Sequence, residues 1–285
     1  MKKFELTAES KINWFGRTLY RIKACIDFTT ISGDEVKAGD LGGFVEKESN
    51  LSHDGKAWVY GNAEVYGDAK VWGDAKVWGN AEVYGDAEVW GDAKVWGNAE
   101  VYGDAEVWGD AKVYGDAKVW GDAKVWGNAE VYGDAKVYGD AKVWGDAKVY
   151  GDAKVYGDAK VWGDASVFST EHIFCVAPIG EYASFLTLFR TKHLEVKISF
   201  EYELYSVEKF KKVIEEWDDT KNREIALAVL EIGQKHIDLT PAVDEYEPCP
   251  FCGGKAELDE DSDVVVCTEC GSAAKEEIWN SRVDD

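Results

Sequence analysis

Four cysteines near the end of the chain form two matched pairs, Cys249-Pro250-Phe251-Cys252 and Cys267-Thr268-Glu269-Cys270, with fourteen residues between the pairs. Thiolates are soft ligands, and two Cys-x-x-Cys turns at this separation can each wrap one side of a tetrahedral ion. The glycines that follow each pair, Gly253, Gly254 and Gly271, let backbone N–H groups turn toward the sulfurs. The chemistry expected is one structural zinc bound by Cys249, Cys252, Cys267 and Cys270, the arrangement of a zinc ribbon. Four thiolates leave no open position, so this zinc is not catalytic. A dithiol redox pair is the rival reading, opposed by the matching of the two turns in a segment too small to hold a core of its own. Six cysteines in all, four of them in these pairs, fit a reducing compartment with a metal better than a secreted disulfide framework.

Acid–base chemistry has few candidates. The chain has four histidines, His53, His172, His193 and His236, and none falls between residues 59 and 168. His53 stands just before that stretch and His172 just after it, and a lone histidine in such a place reads as structural. No nucleophile-and-base motif is present in the residues that follow.

The elements that would position these groups are dominated by one repeat. Every sixth residue from Val59 to Val167 is valine, nineteen without a miss, each followed by Trp, Tyr or Phe. The unit reads Val, aromatic, Gly, Asp or Asn, Ala, Lys or Glu. Gly-Asp or Gly-Asn supplies a corner where positive φ costs little. Valine then points inward from a short strand, its two neighbours point outward, and alanine fills the inside of the corner. Three sides make a coil of eighteen residues, and coils stacked at roughly 4.8 Å give about six coils, a prism on the order of 30 Å tall. The predicted fold is mainly β: a parallel β-helix of hexapeptide repeats at 59–168, an N-terminal β cap at 1–58, a small α+β domain at 169–240 and the zinc ribbon at 241–285. Strands are expected around Thr18–Phe28, Ile173–Gly180, Phe185–Phe189 and Leu194–Phe200, and helices over Val207–Trp217 and Lys221–His236.

Sorting the outward aromatics by side separates three columns. One is all tryptophan: Trp72, Trp90, Trp108, Trp126, Trp144 and Trp162. The second mixes Tyr60, Trp78, Trp96, Tyr114, Tyr132, Tyr150 and Phe168, and the third runs Tyr66, Tyr84, Tyr102, Trp120, Tyr138 and Tyr156. Rings on neighbouring coils can simply reinforce the stack. Six outward tryptophans would also expose several hundred Å², as large as the biggest apolar patch of a typical monomer. The tryptophan column is therefore expected to be an interaction surface, used first for self-association, and removal of its central rings is expected to spare the fold. The residues preceding its valines run Lys70, Glu88, Glu106, Lys124, Lys142 and Lys160, an order that pairs with itself only in some registers.

The net charge is −23. Residues 59–110 carry −8, residues 111–168 only −1, and residues 245–285 a further −9. Such a field disfavours direct binding of nucleic acid, whose affinity rests on Lys and Arg neutralising phosphate. It favours a partner with a basic surface, including the cleft of a nucleic-acid enzyme. The plainer alternative is that Asp serves the corners and the charge keeps an aromatic-rich rod soluble. No run of about eighteen apolar residues offers a membrane span, and the first residues lead into no apolar signal core, so a cytoplasmic location is expected.

Two stretches carry resemblances. Gly39-Asp40-Leu41-Gly42-Gly43-Phe44-Val45, Asn50-Leu51-Ser52 and Trp58-Val59 with the first repeats resemble the YdcK-like hexapeptide-repeat proteins, over roughly residues 15–238. That resemblance implies a left-handed coil and brings the acyltransferase label common in that family, whose members place a catalytic histidine on or beside a coil and bind acyl-coenzyme A between subunits. The histidine-free coils here depart from that pattern. Cys249-Pro250-Phe251-Cys252-Gly253-Gly254 with Trp279-Asn280-Ser281-Arg282 is similar to the Lar-like restriction-alleviation zinc ribbons of phages and prophages. It implies a phage or prophage origin and interference with a host restriction system. Together these readings give a non-catalytic interaction protein that occupies a host defence protein, with a self-assembling rod or spacer as the alternative and an acyltransferase as the least favoured.

Overall fold

Each six-residue unit makes one short strand and one corner, and the corner is where the sequence has least freedom. At Gly97, φ is +75°, and a Cβ would lie 2.9 Å from both the backbone nitrogen and the oxygen of Gly115 one coil above. Only glycine meets both demands, the left-handed φ and the close backbone approach. Between corners the strands pair parallel and in register, Val83 with Val101, Val89 with Val107 and Val95 with Val113. The valines from Val59 to Val167 and the alanines from Ala63 to Ala159 are fully buried. The interior is a single column of methyl groups, and its packing is the main stabilising term.

The computed structural model describes residues 2–180 and 184–240 and, beyond them, the backbone of three strands, Ala256–Asp259, Val264–Cys267 and Ala273–Lys275. The chain divides into two compact units, Met1–Thr191 with Val196–Ile237, and Lys192–Glu195 with Asp238–Asp285.

In the first unit the coils form three parallel ladders. The tryptophan side has six strands and the mixed side seven. The tyrosine side runs on into the N-terminal strands to make a nine-stranded sheet. The coil begins earlier than the strict repeat. Val45 pairs parallel with Val65 and Leu51 bridges to Val71, although eight residues rather than six separate Leu51 from Val59. Buried Asn50 completes this first coil, its amide donating to the carbonyls of Gly67 and Ala69 at 3.1 and 2.8 Å.

A stack of coils leaves backbone groups unpaired at both ends, and the two caps meet these with opposite chemistry. In the second coil the carbonyls of Gly73 and Ala75 accept from Ala57 and Trp58 below. The equivalent carbonyls one coil down, those of Gly55 and Ala57, have no coil beneath them. The ammonium of Lys3, only 2% exposed, donates to both at 3.3 and 2.9 Å. At the far end the N–H groups of Lys142 and Tyr150 reach the carbonyls of Ala159 and Val167. Their equivalents one coil up need acceptors, and the Lys160 N–H finds the Thr187 hydroxyl while the Phe168 N–H finds Nδ1 of His172.

The N-terminal cap is the antiparallel pair Phe4–Ile12 and Thr18–Ala24, joined by Leu41–Val45. The C-terminal cap is a four-stranded antiparallel meander, Ile173–Ile179, Ser184–Arg190, Val196–Phe200 and Glu203–Ser206, followed by helices α1 (Val207–Glu215) and α2 (Thr220–His236). Ser206 and Asp219 cap the helix starts by accepting from the N–H groups of Lys209 and Asn222. Phe210 and Ile214 of α1 and Leu230 of α2 close a second core on Leu186, Leu188 and Ile198. Phe189 and Ile173 of the same sheet turn the other way and complete the coil interior. In the second unit Ala256–Asp259, Val264–Cys267 and Ala273–Lys275 form a three-stranded antiparallel sheet.

Candidate functional site: the outer ladders

The strand alternation that buries valine turns the two residues beside it outward, so each side of the coil stack carries one charged and one aromatic column. The rings lie flat on one another. On the tryptophan side successive centroids are 5.3, 4.9, 4.9, 4.8 and 5.2 Å apart from Trp72 to Trp162, with planes within 11° of parallel. The mixed and tyrosine columns stack in the same way, as with Trp96 on Tyr114 at 4.2 Å and Tyr84 on Tyr102 at 4.8 Å. Each inner ring therefore hides much of its own surface against its neighbours. Of the six tryptophans only Trp72, at the start of the column, is exposed, and the other five are half-buried. The apolar patch is smaller than an isolated outward indole suggests, because ring meets ring at sheet spacing.

The charged columns differ from side to side. The tryptophan side follows the order Lys70, Glu88, Glu106, Lys124, Lys142, Lys160, with ion pairs where the sign changes, Lys70–Glu88 at 3.1 Å and Lys124–Glu106 at 2.8 Å. The mixed side is mostly lysine, with Lys112 bound to Glu130 at 2.6 Å. The tyrosine side runs Glu64, Glu82, Glu100, Lys118, Lys136, Lys154, and its one change of sign is closed by Lys118–Glu100 at 2.7 Å. In the middle of the acidic triad, burial and the flanking carboxylates of Glu64 and Glu100 push the Glu82 carboxyl up, against a 2.7 Å hydrogen bond donated by the Tyr66 hydroxyl. The tip of the N-terminal hairpin overhangs the start of this side. Phe15 lies 6.1 and 5.9 Å from the rings of Tyr66 and Tyr84, while Ile12, Trp14 and Phe15 are 74, 95 and 62% exposed.

The histidines flanking the coils serve the caps. His53 stacks on Phe4 at 4.4 Å, accepts the Lys3 N–H at Nδ1, and places Nε2 2.7 Å from Glu48. With Nδ1 accepting, the ring proton belongs on Nε2 and is donated to the carboxylate. A cleft of about 820 Å³ lined by Ser52, Lys70, Trp72 and Glu88 lies beside His53, whose two ring nitrogens are both engaged within the cap. His172 is buried, with Nδ1 bound to the Phe168 N–H. His236 approaches the Thr170 carbonyl at 3.2 Å, and His193 is exposed in the second unit. The Cys175 thiol is pushed up to about 12 by burial and stays protonated.

Of the predicted zinc ligands, Cys249, Cys252 and Cys270 lie outside the described residues, and so does the side chain of Cys267, whose backbone ends the strand Val264–Cys267. Among the described residues no cluster of three or more His, Cys, Asp or Glu could hold a metal, and no helix is long and apolar enough to cross a membrane. The structural role expected of His172 fits its place in the cap, whereas sequence reasoning missed the end-capping residues Lys3, Asn50 and Thr187, since a single polar residue outside the repeat carries no periodic signal. The charge order of the tyrosine side was present in the eighteen-residue spacing. Neither the models of known protein families nor the curated proteins include a match to this sequence.

Proposed function

We propose that the chain is a non-catalytic interaction protein, a stiff rod that holds rings and charges at fixed spacing for another protein to bind. The observation that carries this reading is the commitment of both histidines beside the coils: each gives its Nδ1 to a backbone N–H that its cap must satisfy. The interior offers only Val and Ala, so acyl transfer would lack a general base. The tryptophan column, Trp72 to Trp162, is the contact surface for the partner, and the acidic first half of the repeat favours a basic one. Taken with the two resemblances, the partner is a host defence or restriction protein whose nucleic-acid cleft meets the spaced carboxylates of a phage or prophage factor. Acetyl-coenzyme A turnover by the full chain is expected to be indistinguishable from buffer. Saturable turnover that disappears in His53→Ala or His172→Ala would overturn the reading. In a bacterial lysate the immobilised chain should retain a basic nucleic-acid enzyme that salt releases; retention no greater than on a charge-matched control would leave the rod as a spacer.

The second unit is proposed to hold one structural zinc through Cys249, Cys252, Cys267 and Cys270. Support comes from the backbone register, in which Ala256 stands opposite Cys267. Cys252 precedes Ala256 by four residues, a reach of at most about 14 Å, so both Cys pairs are tethered to one end of the same sheet. The zinc would replace the core that a segment of this size lacks, holding its turns together.

A further inference from the structure

We infer that the tyrosine side is the contact between two copies of this chain, packed antiparallel about a two-fold axis that runs along the strands between Glu100 and Lys118. In this pairing self-association falls on the tyrosine side rather than on the tryptophan column, where the sequence alone led it to be expected. Such an axis keeps position along the strand and reverses position along the rod, so each column meets its own image upside down. The charged column reads Glu64, Glu82, Glu100, Lys118, Lys136, Lys154. Reversed, every glutamate lies opposite a lysine: Glu82 meets Lys136 and Glu100 meets Lys118 of the other copy, while Glu64, already held by its own Lys11 at 2.7 Å, lies opposite Lys154, and each contact occurs twice. The same operation on the tryptophan side sets Lys70 against Lys160, and on the mixed side it sets lysine against lysine in most registers. Only the tyrosine side is complementary to itself throughout, as an isologous contact requires.

A second observation points to the same pairing. The hairpin tip stands over Tyr66 and Tyr84 with Trp14 almost wholly exposed. The two-fold brings that tip beside Tyr138 and Tyr156 of the other copy, and Tyr156 is the exposed end of its column, at 48%. An uncovered indole at one end of the side and an uncovered phenol at the other meet in the pair. Within a single chain burial, with the neighbouring carboxylates of Glu64 and Glu100 adding to it, raises the Glu82 carboxyl; in the pair Glu82 faces Lys136 of the other copy. The contact is narrow, so the dimer is reversible and weakened by salt.

The test uses two single substitutions in the full chain, Glu82→Lys and Lys136→Glu, with sedimentation velocity across a concentration series. Each alone places like charges opposite one another at two symmetric points and should weaken dimerisation at least about tenfold. Mixed in equal amounts they restore every pair, so a heterodimer should form with the affinity of the parent. Circular dichroism guards against misfolding: Lys136→Glu sits between Lys118 and Lys154 and should melt no lower than the parent. Weakening by each variant with rescue on mixing supports the inference. A parent that is monomeric throughout, a dimer indifferent to both variants, or weakening without rescue overturns it.

Discussion

At the scale of single residues, the ends of the stack depend on a few buried polar groups. Lys3 is the clearest case, because burial pulls its ammonium down from its ordinary value of 10.5 to about 8, while Asp74 and Asp54 oppose that fall. A group whose folded pKa is depressed favours the folded state most when deprotonated. The stability it contributes is therefore fully present above pH 10.5 and is lost as pH falls through about 8. The neutral amine still donates to the carbonyls of Gly55 and Ala57. Lys3→Met removes both donors and should destabilise the coil by about 1–3 kcal/mol. The gap in melting temperature between parent and variant should widen from pH 8 to pH 10. Parallel melting curves over that range would show that Lys3 does not cap the stack.

At the scale of the elements, the aromatic columns work as long edges that tie coil to coil. Trp108 stacks on Trp90 and on Trp126, each at 4.9 Å. Trp108→Ala breaks both stacks and should cost about 1–3 kcal/mol, whereas Trp108→Tyr keeps a ring in place and should cost less. The rank order of melting temperatures checks this, and an Ala variant as stable as the parent would confine the column to partner binding. Most of this layer was legible in the sequence, because the six-residue register places Val inward and the aromatic outward without reference to anything distant. The strands expected in the C-terminal cap and both helices were legible for the same reason: their periodicity is local. The first coil was legible in part, since Val45 and Leu51 sit six apart, but the eight residues from Leu51 to Val59 break the register, and the pairing of Val45 with Val65 and of Leu51 with Val71 shows where the coil begins. Stacking of rings between coils was legible, but the extent of ring exposure was not, because burial of one indole depends on how the next, eighteen residues away, lies against it.

At the scale of the whole molecule, the two units rest on different sources of stability. The first has a continuous Val and Ala core with closed ends. The second spans Lys192–Glu195 and Asp238–Asp285, too few residues to bury a core, and its proposed zinc makes folding and metal binding one equilibrium. The probes separate cleanly, since twelve of the thirteen tryptophans precede Asp238 and only Trp279 lies in the second unit. Protein purified without chelator should carry one zinc per chain by elemental analysis, and Cys267→Ala should lose most of it. A strong chelator should make the region after Asp238 sensitive to protease while the main thermal transition and the bulk of the tryptophan fluorescence stay where they were. Protection of that region unchanged by chelator, together with no zinc in the purified protein, would defeat the metal assignment. Loss of the main transition on chelation would instead mean that the coil depends on the metal, contrary to the independence argued from its closed ends.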